Sequence, residues 1–159
     1  MPIYLKIEKV EGESRIAGHE KEIEVHSFQF GAGAGIDTTS AGWAAGRVSM
    51  SEVTFSKNLD NASTILLQKI CAGTHYEKAT FTFTKHGTDA SGANEAYLTV
   101  LLEHCFVSGF SLSSGGDRPS ESVSFAFKKI NVKYGTQEKD GSIKATAPEF
   151  AWDLEANKG

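Results

Sequence analysis

Glu103-His104-Cys105 sets a carboxylate, an imidazole and a thiol side by side, the residue types of a cysteine nucleophile with its base. The stretch reads as a strand, however, and neighbours on a strand point to opposite faces. His104 is expected to face inward beside Leu102 and Phe106, with Glu103 and Cys105 facing the other way, so the thiol lacks a base within reach. Cys71 and His75 stand four apart, but Gly73 breaks the helix between them. The five histidines (His19, His26, His75, His86, His104) show no metal-binding spacing along the chain. Gly31-Ala32-Gly33-Ala34-Gly35 is rich enough in glycine to approach a phosphate, yet it is neither a dinucleotide fingerprint nor a Walker A loop, and no lysine follows it. No serine sits in a nucleophile elbow. The expectation is a protein without catalytic residues, metal or cofactor.

The bulk properties restrict the alternatives. At 159 residues and 40% hydrophobic content the chain can bury a real core, and it reads as one domain over 1–159. Net charge is −4 and the 16 basic residues are scattered, which argues against a nucleic-acid surface. No apolar run approaches the length of a membrane span, and the N-terminus lacks the pattern of a cleaved secretion signal. Two cysteines are too few for a disulfide scaffold.

Period-two alternation predicts strands at Ile3–Ile7, 22–30, 48–57, 79–85, 97–112 (one long strand or two short ones), 123–134 and 150–154. Within 22–30 the apolar phase switches from Ile23 and Val25 to Phe28 and Phe30, the mark of a bulge or a barrel corner. One helix is predicted over about 61–72, capped by Asp60 or Asn61, burying Ala62, Leu66 and Ile70, and stopped by Gly73. Segments 86–94, 113–119 and 135–146 read as loops. The predicted fold is mainly β: an antiparallel barrel or sandwich of about seven or eight strands with one flanking helix.

Two features resist a self-contained monomer. In the long strand, Leu98, Val100, Leu102 and Phe106 fall on one face and Leu101, Cys105 and Val107 on the other, so both faces need cover. The cover is either a neighbouring subunit or the chain's own helix or loops. The second feature is the stretch from Gly31 to Gly46, with five glycines, five alanines and a lone Trp43. A structureless segment of that length is uncommon inside a compact domain and calls for a use. Docking on another copy of the chain is the expected one.

At this point the residues carry a family resemblance. "YLKIEKVEGES" at 4–14 and "HEKEIEVHSFQFG" at 19–31, followed by the glycine-rich stretch, resemble the opening of the Hcp family. "AGRVSMSEVTFSKNLDNASTILLQKICAGTHYEKATFTFTK" at 45–85 is similar to its strand–helix–strand block. "SGGDRPSESVSFAFKKINVKY" at 114–134 and "FAWDLEANK" at 150–158 are similar to its later segments. Phe28 and Phe30 stand where tryptophans are common, and 136–147 carries no firm signature.

The resemblance implies a small β-barrel that forms hexameric rings, stacked into the tube of a type VI secretion system. It also implies work alongside a spike protein, a sheath and small effectors held in the lumen, and export from the bacterial cytoplasm without a cleaved signal. On that footing Gly31, Gly33, Gly35, Ile36, Asp37, Thr38, Thr39 and Trp43 are expected in a ring-stacking loop. Ser27 and Gln29 are expected on the lumen wall. Tyr97, Leu101 and Val107 are expected at the subunit contact or in the core beneath it. A monomeric small-ligand-binding barrel and a phage tail tube subunit are the alternatives. Association with nucleic acid or insertion in a membrane is not expected.

Overall fold

The computed structural model describes residues 1–39, 42, 44–86, 94–140, 142–145 and 147–159. Within them the chain forms β1 (Ile3–Ile7), β2 (Ile23–Val25), β3 (Ser27–Gln29), β4 (Ala32–Asp37), β5 (Ala44–Met50), β6 (Val53–Asn58), α1 (Ala62–Ala72), β7 (His75–His86), β8 (Asn94–Ser113), β9 (Ser120–Ala126), β10 (Lys129–Gln137), β11 (Ile143–Ala145) and β12 (Phe150–Asp153). The main sheet is antiparallel and runs β2-β1-β7-β8-β9-β6-β3. Its two ends, β2 and β3, are consecutive in the chain and separated only by His26, whose N–H donates to the Ser56 carbonyl at 2.8 Å. The sheet therefore curls round and closes. The phase switch at 22–30 is this corner: Ile23 and Val25 face the core from β2, and Phe28 does so from β3.

The strand count exceeds the expected seven or eight for a physical reason. At 22–30 and 123–134 the phase switch marks a change of pairing partner and divides an apparent strand. The predicted 123–134 strand is β9, paired with β6 and β8, followed by β10, paired with β8, β11 and β12. The predicted 48–57 strand divides between β5 and β6. The polar 135–146 segment is partly strand, since Gly135 to Gln137 pair with Ile143 to Ala145. The predicted loop 86–94 lies for the most part outside the described residues.

β8 organises the barrel. One edge pairs with β7 along most of its length. The other edge is shared: Leu98–Glu103 pairs with β10, and Phe106–Ser113 with β9. Near the branch His104 takes φ 51°, a left-handed value rare for a side chain with a Cβ. One such residue inverts the alternation. Val100 and Leu102 are buried before it, and Cys105 and Val107 after it. The two-faced pattern read from the sequence is thus largely one face with a phase inversion. His104 itself points outward, contrary to its expected inward position, and Phe106 is exposed. Helix α1 packs on β8 and supplies further cover.

Phe55, Phe81 and Phe125 fill the interior, with ring centroids 5.3 Å (Phe55–Phe81) and 5.1 Å (Phe55–Phe125) apart in edge-to-face contact. The helix forms where the alternation stops. Asp60 Oδ1 accepts the Ala62 N–H at 2.9 Å, taking the capping role that Asn61 leaves unfilled. Gly73, at φ 65°, ends it by donating to the Lys69 and Ile70 carbonyls. Ala62, Ser63 and Leu66 are buried, with Ile65 and Ile70 packed beside them.

Candidate assembly surfaces

The glycine- and alanine-rich segment is a hairpin rather than the structureless loop expected. β4 and β5 pair with each other, Ala32 opposite Met50 and Ile36 opposite Ala45, with an irregularity between Ala34 and Ile36. Strand signals fail here because glycine and alanine show neither β-branching nor alternation, while their backbones still pair. The pairing needs small residues: a Cβ on Gly46 would stand 2.9 Å from the Gly35 carbonyl oxygen. At its base the Gly31 N–H donates to Ser51 Oγ at 2.7 Å, and the Ser51 N–H donates to the Gly31 carbonyl at 2.8 Å. Among the described residues the hairpin beyond that base is its own two-stranded sheet, paired with no strand of the barrel. Arg47 reaches the Leu154 carbonyl at 3.2 Å.

The expected stacking residues fall on this element. Gly31, Gly33, Gly35, Thr38 and Thr39 are exposed, and Ile36 is 58% exposed. Asp37 ends β4, and Trp43 lies outside the described residues.

Ser27 and Gln29 point outward from β3 while Phe28 between them packs on the core. They do not stand alone. Ser27 lies opposite Ser56 on β6, Ser56 opposite Ser122 on β9, and Ser122 opposite Ser111 on β8. Gln29 starts a parallel row through Thr54 and Ser124. Ser27 and Ser56 hydroxyls meet at 2.6 Å, and Ser108 donates to Ser124 Oγ at 3.1 Å. The result is a wall of short hydroxyl side chains across four strands. Of the candidate residues only Ser27 and Gln29 were expected here. Most of the remainder was legible in the alternating hydroxyl residues of "VTFSK", "SESVSF" and "FSLSS", once cross-strand register is known.

Of the expected contact residues, Tyr97 and Leu101 are partly exposed. Val107 is 7% exposed and belongs to the chain's own core, so it supports β8 from beneath. Cys105 is buried, and burial pushes its thiol up to about 12, so it is a poor nucleophile.

Residues 4–134 match the family described as "Type VI secretion system effector, Hcp". The chain belongs to the Hcp family. It is 31% identical over 159 residues to Protein hcp1 of Pseudomonas aeruginosa, covering 98% of this chain and 96% of that one. Among solved structures it is similar to a type six secretion system protein (TM-score 0.89, 30% identity, 99% of this chain and 98% of that one). It is also similar to Hcp1 of Salmonella typhimurium (TM-score 0.78, 28% identity, 99% and 97% covered). As an Hcp-family protein it is a type VI secretion tube component with the β-rich fold that the resemblance implied. No helix among the described residues is long and apolar enough to cross a membrane.

Proposed function

We propose that six copies of this chain close into a ring, that rings stack through the β4–β5 hairpin, and that the hydroxyl wall begun by Ser27 and Gln29 lines the lumen. The observation that carries this reading is the hairpin. A lone two-stranded ribbon is marginally stable in water. It leaves strand edges unpaired, and such edges seek another chain. Here it also presents Ile36 to solvent, and it keeps its side chains small enough for close backbone approach. Trp43, between β4 and β5 in sequence, is the aromatic anchor of the contact. A ring closes by heterologous contacts, each subunit offering two different surfaces. Tyr97 and Leu101 on the outer face of β8 supply one of them.

Short hydroxyls suit a lumen that must hold cargo yet release it. They offer donors and acceptors without the charge or large apolar area that would grip. The chain's part is mechanical rather than catalytic. Its partners are other copies of itself, and the spike, sheath and small effectors of the secretion system. It is made in the cytoplasm and leaves through the secretion system.

The test replaces Gly46 with Val. The new side chain meets the Gly35 carbonyl and pries β4 from β5 without touching the barrel. Electron microscopy, under conditions where the parent chain forms tubes, should show Gly46→Val as rings that do not stack. Tubes of normal length from this variant would overturn the stacking role.

A further inference from the structure

Histidine spacing along the chain argues against a metal, but the fold places distant residues side by side. β7 and β8 are antiparallel, with Tyr76 opposite Cys105 and Lys78 opposite Glu103. Glu77 and His104 therefore meet between those pairs. His75 lies two residues before Glu77 on the same strand and so shares its face. The left-handed backbone at His104 is what turns its imidazole away from the core.

The three side chains converge. His75 Nε2 is 3.1 Å from Glu77 Oε1, and His104 Nδ1 is 3.8 Å from Glu77 Oε2. One ligand atom from each residue lies within 4.8 Å of the other two. The imidazole centroids are 5.8 Å apart, and the Phe106 ring closes one side of His75 at 5.4 Å. All three side chains reach solvent, at 44% (His75), 64% (Glu77) and 43% (His104) exposure.

We propose that His75, Glu77 and His104 form a binding site for one divalent transition-metal ion of the zinc class. Two imidazoles and a carboxylate are a zinc-type donor set with one position left open. Metal–ligand bonds of about 2.0–2.1 Å in a tetrahedron put ligand atoms about 3.3 Å apart. The two separations, 3.1 Å to Oε1 and 3.8 Å to Oε2 of Glu77, lie either side of that value but involve different carboxylate oxygens, so a small rotation of the exposed side chains would bring one oxygen to both imidazoles. Magnesium and calcium, which take oxygen ligands, do not fit. The site is complete within one chain and does not depend on ring assembly.

The test uses untagged full-length chain titrated with cobalt(II), followed by visible absorption, and with zinc(II), followed by calorimetry. The expected result is a saturable site of one ion per chain, with zinc displacing cobalt. His104→Asn removes a ligand and keeps a residue that tolerates the left-handed backbone. Glu77→Gln alters only an exposed side chain, so it serves if His104→Asn fails to fold by circular dichroism. Even outer-shell partners of a metal are worth about 10–100-fold in affinity, so each of these changes should weaken binding by more than about tenfold. Cys71→Ser and His26→Gln should bind as the parent does. Absence of saturable binding would overturn the site and leave Glu77 as the hydrogen-bonding partner of His75, with His104 at ion-pair distance. Affinity unchanged in both Glu77→Gln and His104→Asn, or lost in Cys71→Ser or His26→Gln, would overturn it equally.

Discussion

Lys57 is fully buried, which a lysine tolerates only when its charge is answered. Its Nζ donates to Asp60 Oδ1 at 2.7 Å and Ser63 Oγ at 3.0 Å. Glu121 Oε2 lies 2.8 Å away as an ion pair approached off the hydrogen-bond direction. The lysine thus fastens β6 to the start of α1 and to β9. Lys57→Met would leave two carboxylates without their cation, and loss of one partner of a buried pair costs about 3–5 kcal/mol. Urea unfolding should show a loss of that size, and a change below about 1 kcal/mol would contradict the role. Burial sets the second expectation. It raises Cys105 from an ordinary 9.0 to about 12, and Tyr76 from 10.0 to about 12. The folded chain then holds protons that the unfolded chain gives up, so stability is intact below pH about 9 and falls as pH climbs towards 12. Cys105→Ala should flatten that alkaline fall in urea midpoints. An equal fall in both chains would show that the thiol does not contribute. Neither residue's environment was legible in sequence. Lys57 sits in an ordinary alternating strand, and the burial of Cys105 depends on the left-handed turn at His104, which no residue type announces.

At the scale of elements, legibility followed side-chain chemistry. The helix could be read because Gly73 offers a left-handed stop and Asp60 a cap, both local signals. The corner at His26 could be read because the apolar residues change face there. The β4–β5 hairpin could not, because alanine and glycine leave backbone pairing without an apolar pattern. The cluster of His75, Glu77 and His104 was invisible for a different reason: it exists only across strands. The hairpin's isolation makes a prediction of its own. Amides of β4 and β5 in separated rings should exchange with solvent faster than those of β7 and β8, which lie inside the main sheet. On stacking, the hairpin amides should become protected. Equal protection in rings and tubes would place the stacking contact elsewhere.

At the scale of the molecule, the order of segments from "YLKIEKVEGES" to "FAWDLEANK" carried more than any single motif, and the family match over 4–134 agrees with it. What sequence order alone left open was which surfaces face outward. The register supplies this: a hydroxyl wall on β3, β6, β9 and β8, a partly apolar outer face on β8, and a hairpin apart from the barrel. A barrel filled by Phe55, Phe81 and Phe125 has its interior committed to its own core, so its binding surfaces lie outside. Under the proposed function these surfaces serve a closed assembly, and that assembly is the central claim. Its most direct test is mass in solution, by size exclusion with light scattering over a range of concentrations. Six chains of 17.1 kDa should appear as a species of about 103 kDa. A stable 17.1 kDa monomer at every concentration would contradict the account.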